Sequence, residues 1–321
     1  MKRALEAGNQ LLVIVGSANQ PRTVKNPWTV SEVEVMIKSS LPEDVRERVM
    51  VLPLRDTAYN DQAWVQQVQD KVRAVTEPSD VVGLIGHSKD ESSYYLKMFP
   101  QWDHIEMENI NDIHATDIRN AYFEANGDMT NFDFKIGRNL PPAIHDFMKA
   151  FAHTSDYETL VNEYKFLVAH AKMWEDAPYP PMFITTDAVV VQSGHVLLVK
   201  RRAEPGKNLW AIPGGYLNQK EYIIDGLIRE LREETMLKVP GPVLRGSIKY
   251  TGVYDAPDRS PRGRIVTHAS LIELPAGPLP PVKGSDDAEK AKWIPLSVFE
   301  RMEEQMFEDH FHIIRDLLGK M

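Results

Sequence analysis

The chain has 321 residues, with 46 acidic against 37 basic side chains, a net charge of −9 and no cysteine. That length favours two domains with separate cores, the acidic balance argues against a protein that coats nucleic acid, and the lack of cysteine excludes disulfides, thiolate nucleophiles and Cys-based zinc sites. The longest early apolar run, Leu11–Val15, is too short for a membrane span or a secretory signal. No membrane partner is expected, and the cytoplasm is the expected location.

Residues 1–9 form the end of a helix that stops at Gly8-Asn9. The run Leu11–Val15 is continuous and apolar, as in a strand buried on both faces of a parallel sheet. A helix is predicted over 31–39, a strand over 49–54, a helix over 61–75 and a strand over 80–85. This alternation predicts α/β architecture. Ligands in such sheets lie beyond the carboxyl ends of the strands. Those ends carry Gly16-Ser17, Arg55-Asp56 and Gly86-His87-Ser88-Lys89-Asp90.

Three stretches carry a resemblance. Gly16-Ser17-Ala18, Arg22-Thr23 and Asn26-Pro27-Trp28-Thr29 come first, then Asn60-Asp61 with Trp64-Val65. Ile113-His114-Ala115-Thr116-Asp117-Ile118-Arg119 opens a helix with hydroxyl and guanidinium groups, a chemistry suited to phosphate. Alone, that last stretch is a surface helix cap. Together the loops resemble the archaeal-like adenylyltransferases that make NAD from nicotinamide mononucleotide (NMN) and ATP. The resemblance implies NMN and ATP contacts at Gly16, Ser17, Asn26, Trp64, Gly86, Thr116 and Arg119. It also implies a first strand and a His-x-Gly-His motif, which stabilises phosphate charge in that family. No such motif occurs in these 321 residues, and the family's Glu-Arg pair reads Glu32-Val33. Little adenylyl transfer is therefore expected from the sequence as written. A start codon placed too late, or true degeneration, is the expected origin.

Residues 139–174 are predicted helical, with Phe147, Phe151, Leu160, Tyr164 and Leu167 toward the core. His145, His153 and His170 have no metal-ligand spacing with acids. Prolines at 178, 180 and 181 mark a linker, and the domain boundary is placed at 178. Strands follow at 184–191 and 196–200 around Ser193-Gly194, then near 243–253, 266–274 and 292–294. A closing helix is predicted over 297–318.

Between them lies Gly214-Gly215, followed by a helical pattern from Glu221. Ile224, Leu227, Ile228 and Leu231 share one apolar face. Glu230, Glu233 and Glu234 converge on another, within about one turn. Alone, such a cluster is a solvated acidic face with Arg229 and Arg232 as counter-charges. Its spacing is more specific: Gly215, five residues, Glu221, seven residues, then Arg229-Glu230-Leu231-Arg232-Glu233-Glu234. This resembles the Nudix box at every fixed position except the last glycine, here Met236. A non-glycine residue there costs roughly 1–2 kcal/mol if the backbone stays left-handed.

The Nudix resemblance implies hydrolysis of a nucleoside diphosphate linked to another group. It implies Mg²⁺, with Mn²⁺ as a substitute, on Glu230, Glu233 and Glu234, with Arg229 orienting them and Glu221 behind. Asp286 and Asp287 are candidate bases. Gly214 and Gly215 let backbone approach the phosphates. Arg201, Arg202, Arg262 and Arg264 are candidate phosphate clamps, and Trp210 or Tyr254 a candidate adenine platform. The segment Arg259-Ser260-Pro261-Arg262-Gly263-Arg264 resembles Nudix domains that bind ADP-ribose.

The two resemblances together imply the fused NMN adenylyltransferase–Nudix hydrolase family. They imply an incomplete Rossmann-like nucleotidyltransferase domain over 1–177, its parallel sheet lacking the first strand. A Nudix α/β/α sandwich with a mixed sheet follows over 178–321. The expected activity is cleavage of ADP-ribose to AMP and ribose 5-phosphate. NAD synthesis as the main activity and an ADP-ribose-sensing module are the alternatives. No nucleic-acid partner is expected, and a homo-oligomer is compatible with the sequence.

Overall fold

The computed structural model describes residues 1–86, 91–107 and 114–321. Positions 87–90 and Ile113, named above, lie outside the described residues. The chain divides into two compact units, residues 1–18 with 24–161 and residues 19–23 with 162–321.

The first unit alternates helix and strand: α1 (Lys2–Ala7), β1 (Leu11–Val15), α2 (Val30–Ser39), α3 (Glu43–Arg46), β2 (Val49–Pro53), α4 (Asp61–Arg73), β3 (Gly83–Gly86) and β4 (Asp103–Glu106). β1 and β2 pair in parallel, with Val13 opposite Val51. β3 and β4 form a second parallel pair, with Ile85 opposite Ile105. Ile14 of β1 and Leu84 of β3 pack on one apolar cluster around Leu54, Val68 and Phe99, so the two pairs share a core. The sequence placed β3 at 80–85 and missed β4. Val81 is in fact 89% exposed and outside any strand.

The capping box at the start of α2 is complete. The Glu32 amide donates to Thr29 Oγ1 at 3.3 Å, and the Thr29 amide to Glu32 Oε2 at 2.7 Å. Glu32 is thus engaged in starting its own helix. Then come α5 (Ala115–Glu124), α6 (Met129–Lys135), α7 (Pro142–Phe151) and α8 (Ser155–Lys172), whose residues from 162 on belong to the second unit. Phe151 and Leu160 are buried, whereas Phe147, Tyr164 and Leu167 are half-buried.

The second unit is a seven-stranded mixed sheet. It contains β5 (Met182–Gln192), β6 (His195–Arg201), β7 (Trp210–Ala211), β8 (Gly214–Tyr216), then α9 (Ile223–Thr235) and α10 (Gly241–Gly246). β9 (Ile248–Tyr254), β10 (Arg264–Glu273), β11 (Ala288–Pro295), α11 (Leu296–Phe299) and α12 (His310–Leu318) complete it. The order is β11-β6-β5-β10-β9, with β7 on β6 and β8 on β5. β10 runs parallel to β5 and antiparallel to β9. α9 buries Leu227, Ile228 and Leu231 against Ala188, Val190, Leu197 and Ile272. α12 buries Phe311, Ile314 and Leu317.

Three expectations are corrected here. Ile224 is 38% exposed, so the buried face of α9 is narrower than the spacing implied. The strand predicted from 243 starts at Ile248, because Pro240 and Pro242 open α10 instead. The predicted helix over 297–318 is broken: α11 ends at Phe299 and α12 begins at His310.

Candidate active site

The two glycines of the box are dictated by packing. β8 pairs Gly214 with Asp187 and Gly215 with Thr186. A Cβ on Gly214 would lie 2.3 Å from Asp187 Oδ1, and one on Gly215 would lie 2.6 Å from Glu230 Cδ. Only glycine lets β8 sit between β5 and the acidic face of α9.

On that face, Arg229 is the hub. Its Nη2 donates to Glu221 Oε1 at 2.6 Å, its Nε to Glu221 Oε2 at 3.0 Å, and its Nη1 to Glu230 at 2.7 Å and Glu233 at 2.9 Å. The Arg229 hydrogen bonds hold the Glu221 carboxyl down at about 2, with help from the Asn218 amide. Glu234 is treated differently. It is 8% exposed and accepts one backbone hydrogen bond, from Gly214 at 3.0 Å. Burial pushes it up to about 8, and Glu230 and Asp187 add repulsion. Glu230 is also raised, first by burial, with Glu233 and Asp286 adding repulsion.

Converging carboxylates that resist ionisation, with one guanidinium among them, form an oxygen donor set short of positive charge. A hard divalent cation fits that deficit.

The loop before β11 is docked onto α9. The Lys283 amide donates to the Thr235 carbonyl at 2.9 Å and the Ser285 amide to the Glu234 carbonyl at 3.1 Å. Asp286, in a left-handed conformation at φ 53°, and Asp287 are exposed on this loop. Asp286 contributes repulsion at Glu230, and Asp287 attraction at Arg201. The docked loop thus keeps both candidate bases close in sequence to its anchor on the end of α9.

Of the candidate arginines, Arg201 and Arg262 come together. Their guanidinium carbons lie 3.9 and 5.5 Å from the Phe307 ring centroid. Burial, and then Arg262, pulls the Arg201 guanidinium down from its ordinary value. Arg202 instead donates to the Ala288 carbonyl at 3.3 Å, and Arg264 turns to the Asp255 carbonyl. Tyr254 is 3% exposed and donates its hydroxyl to Asp316 at 2.8 Å, so its ring is core and offers no stacking face. Trp210 is half-buried on β7, its carbonyl taken by the Phe307 amide at 2.8 Å.

Glu308, Asp309 and His310 form a second cluster of possible metal-ligand types. Their donor atoms are already engaged. Asp309 takes a bidentate bond from Arg259 at 2.9 and 2.7 Å, and His310 Nδ1 accepts from the Ile212 amide at 3.0 Å.

In the first unit, Gly16 follows β1 and Ser17 turns at φ 54°. Ser17 donates its amide and hydroxyl to Asp56 at 3.0 and 2.8 Å, joining the carboxyl ends of β1 and β2. Gly86 ends β3, where a Cβ would meet Leu96 at 2.6 Å. Trp64 packs edge-on to Tyr95. Thr116 Oγ1 accepts from Arg119 at 3.2 Å in the first turn of α5, and burial lowers the Arg119 guanidinium. Asn26 lies in the loop before α2.

Comparison with known proteins decides the family. A NUDIX domain model matches residues 182–317. A nicotinamide/nicotinic acid mononucleotide adenylyltransferase of Acinetobacter baylyi is 37% identical over 163 residues, 50% of this chain and 82% of that one. An ADP-ribose pyrophosphatase of Methanocaldococcus jannaschii is 30% identical over 135 residues, 42% of this chain and 72% of that one. A bifunctional NMN adenylyltransferase/ADP ribose pyrophosphatase from Francisella tularensis, solved with AMP and a manganese ion, matches with a TM-score of 0.89 at 31% identity. It covers 99% of this chain and 93% of that one. The chain belongs to the bifunctional NMN adenylyltransferase/ADP-ribose pyrophosphatase family. It joins an NMN adenylyltransferase-like domain to a Nudix hydrolase domain.

Within this Nudix domain, sequence reasoning missed Tyr216, Phe307, Glu308 and Asp187. Tyr216 receives Arg262 Nη1 at 3.5 Å. Asp187 is 5% exposed beneath Gly214, and burial raises it to about 6. Phe307 and Glu308 lie where a continuous helix was expected, and no Gly or Pro marks the break.

Proposed function

We propose that the Nudix domain hydrolyses ADP-ribose to AMP and ribose 5-phosphate with Mg²⁺, Mn²⁺ serving as a substitute. The observation that carries this is the gathering of Glu230, Glu233 and Glu234 around Arg229 and the Gly214-Gly215 strand, with Glu234 buried beneath the Gly214 amide. Those three would hold the metal, and Arg229 fixes Glu230 and Glu233 by charge-assisted hydrogen bonds. When bound, the metal neutralises diphosphate charge and lowers the pKa of water. Arg201 and Arg262 take the diphosphate oxygens; Gly214 and Gly215, expected to admit the phosphates, instead let β8 lie against Asp187 and Glu230. In the step itself, a water oxygen bonds to one phosphorus and the bridging P–O bond breaks. One water proton passes to Asp286 or Asp287, the carboxylates on the docked loop.

Assaying ADP-ribose hydrolysis with Mg²⁺ for wild type and Glu234→Gln tests this. Loss of about a hundredfold or more in the variant is expected, since such metal-assisted chemistry supplies several kcal/mol. Equal activity in the two removes the metal assignment. A sensor role is disfavoured because the acidic set is undamaged.

For the first unit, NMN and ATP are the proposed ligands at Gly16, Ser17, Asn26, Trp64, Gly86, Thr116 and Arg119. The 37% identity to the Acinetobacter baylyi adenylyltransferase favours NAD synthesis as the second reading. Rapid NAD formation from NMN, ATP and Mg²⁺ would make it the principal activity. The proposed division remains 1–177 and 178–321, and the proposed location is the cytoplasm. No helix among the described residues is long and apolar enough to cross a membrane.

A further inference from the structure

The segment from Met306 to His310 is fastened at successive points. Its Phe307 amide donates to the Trp210 carbonyl at 2.8 Å, Asp309 holds Arg259 bidentately, and His310 Nδ1 accepts from Ile212. Inside this rigid frame Glu308 adopts φ 45°, a left-handed conformation that disfavours any residue with a Cβ. Its side chain is 6% exposed, and burial raises its carboxyl. A strained backbone and a buried acid coincide at one residue, which requires that surrounding structure hold it there.

What Glu308 holds is Arg262. Its two carboxylate oxygens each receive Arg262 Nη2 at 3.3 Å. Ser260 bridges the pair, donating its hydroxyl to Glu308 at 2.6 Å and accepting Arg262 Nε at 3.1 Å. Arg262 is thereby pressed toward Phe307, the ring that Arg201 also covers. Arg201 differs from Arg262. Among the described residues it has no ion-pair partner, and only its Nε has an acceptor, the Pro205 carbonyl at 2.9 Å. A half-buried guanidinium beside a second cation, with its Nη groups uncommitted among the described residues, is poised for an anion.

We propose that Glu308 is a positioning residue for anion recognition: with Ser260 it fixes Arg262 against Phe307, so that Arg262 and Arg201 converge on the diphosphate of a nucleoside diphosphate derivative. Glu308 never touches the substrate and acts only through Arg262. The placement rests on the proposed hydrolase reading, in which the diphosphate lies between these arginines and Glu234.

The test measures KM and kcat for ADP-ribose with Mg²⁺ on the full chain, for wild type, Glu308→Gln, Arg262→Ala and the double variant. Glu308→Gln should raise KM about tenfold with kcat within about twofold, and Arg262→Ala should raise KM about a hundredfold. The double variant should be no worse than Arg262→Ala, because one residue acts through the other. An unchanged KM in Glu308→Gln, or losses that multiply in the double variant, overturns the proposal. If Glu308→Gln does not fold, Ser260→Ala carries the same test, with an expected KM rise of about threefold. A wild type that leaves ADP-ribose intact overturns the substrate reading instead. The same proteins are then compared in calorimetric binding of ADP, where multiplying losses again overturn the role of Glu308.

Discussion

Glu221 and Glu234 are both glutamates of one box, yet their surroundings drive them in opposite directions. Glu221 takes two hydrogen bonds from Arg229 and stays ionised, whereas Glu234 is buried with one amide for company. Glu221 therefore serves the site by locking Arg229, and Glu221→Gln should weaken Mn²⁺ binding by about 10–100-fold in a calorimetric titration, as loss of an outer partner does. His310 makes one pH-dependent contribution to the stability of the domain. Burial depresses it from 6.5 to about 3, with Asp309 opposing that shift and Arg259, Arg201 and Arg262 adding to it. Its Nδ1 must stay unprotonated to accept the Ile212 amide. Because the folded pKa is depressed, the contribution is intact above pH 6.5 and is lost as pH falls toward 3. Urea unfolding should show about 2–3 kcal/mol less stability from this group at pH 4.5 than at 6.5. His310→Asn should flatten that slope. The gathering of Arg229 with Glu230 and Glu233 was legible because it follows from spacing within one helix. Phe307, Glu308 and Tyr216 were not, because their partners, Arg262 and Arg201, are fixed only by the fold.

At the scale of elements, the end of α9 shows how far local reading reaches. Where the Nudix pattern has glycine, Met236 takes φ 55° and ψ 22°, and its amide still caps the helix through the Arg232 carbonyl at 2.9 Å. The side chain is 50% exposed, so little burial offsets the strain. Met236→Gly should therefore stabilise the protein by about 1 kcal/mol, read as a rise in Tm of a few degrees. Unchanged or lower stability would refute the strain argument. The start of α10 was legible in principle, since Pro240 and Pro242 favour a helix start, yet Val243 and Leu244 mimic a strand. The break between α11 and α12 was not legible. Met302, Met306 and Phe307 are all buried, and the buried Arg259–Asp309 pair fixes the turn from 50 residues away in sequence. The short strand β4 carries only four residues, too few for a pattern, whereas β3 was read with its start three residues early.

For the whole molecule, the α/β class, the parallel first unit and the mixed Nudix sheet were legible from alternation and motifs. The pairing of β10 with β5, separated by more than 80 positions at Thr267 and Thr185, was beyond sequence pattern. Two units with separate ligand chemistry imply separable effects. Glu234→Gln should leave NMN affinity of the full chain within about twofold of wild type, since each unit has its own core and its own proposed ligand residues. A large shift in calorimetric NMN affinity would show that the two chemistries are coupled. Everything in the hydrolase assignment rests on one ion held by Glu230, Glu233 and Glu234. Crystals soaked with Mn²⁺ and AMP, measured by anomalous scattering, address it most directly. A manganese peak bonded to those carboxylates is the expected result. A well-occupied manganese elsewhere, with none beside them, would contradict it.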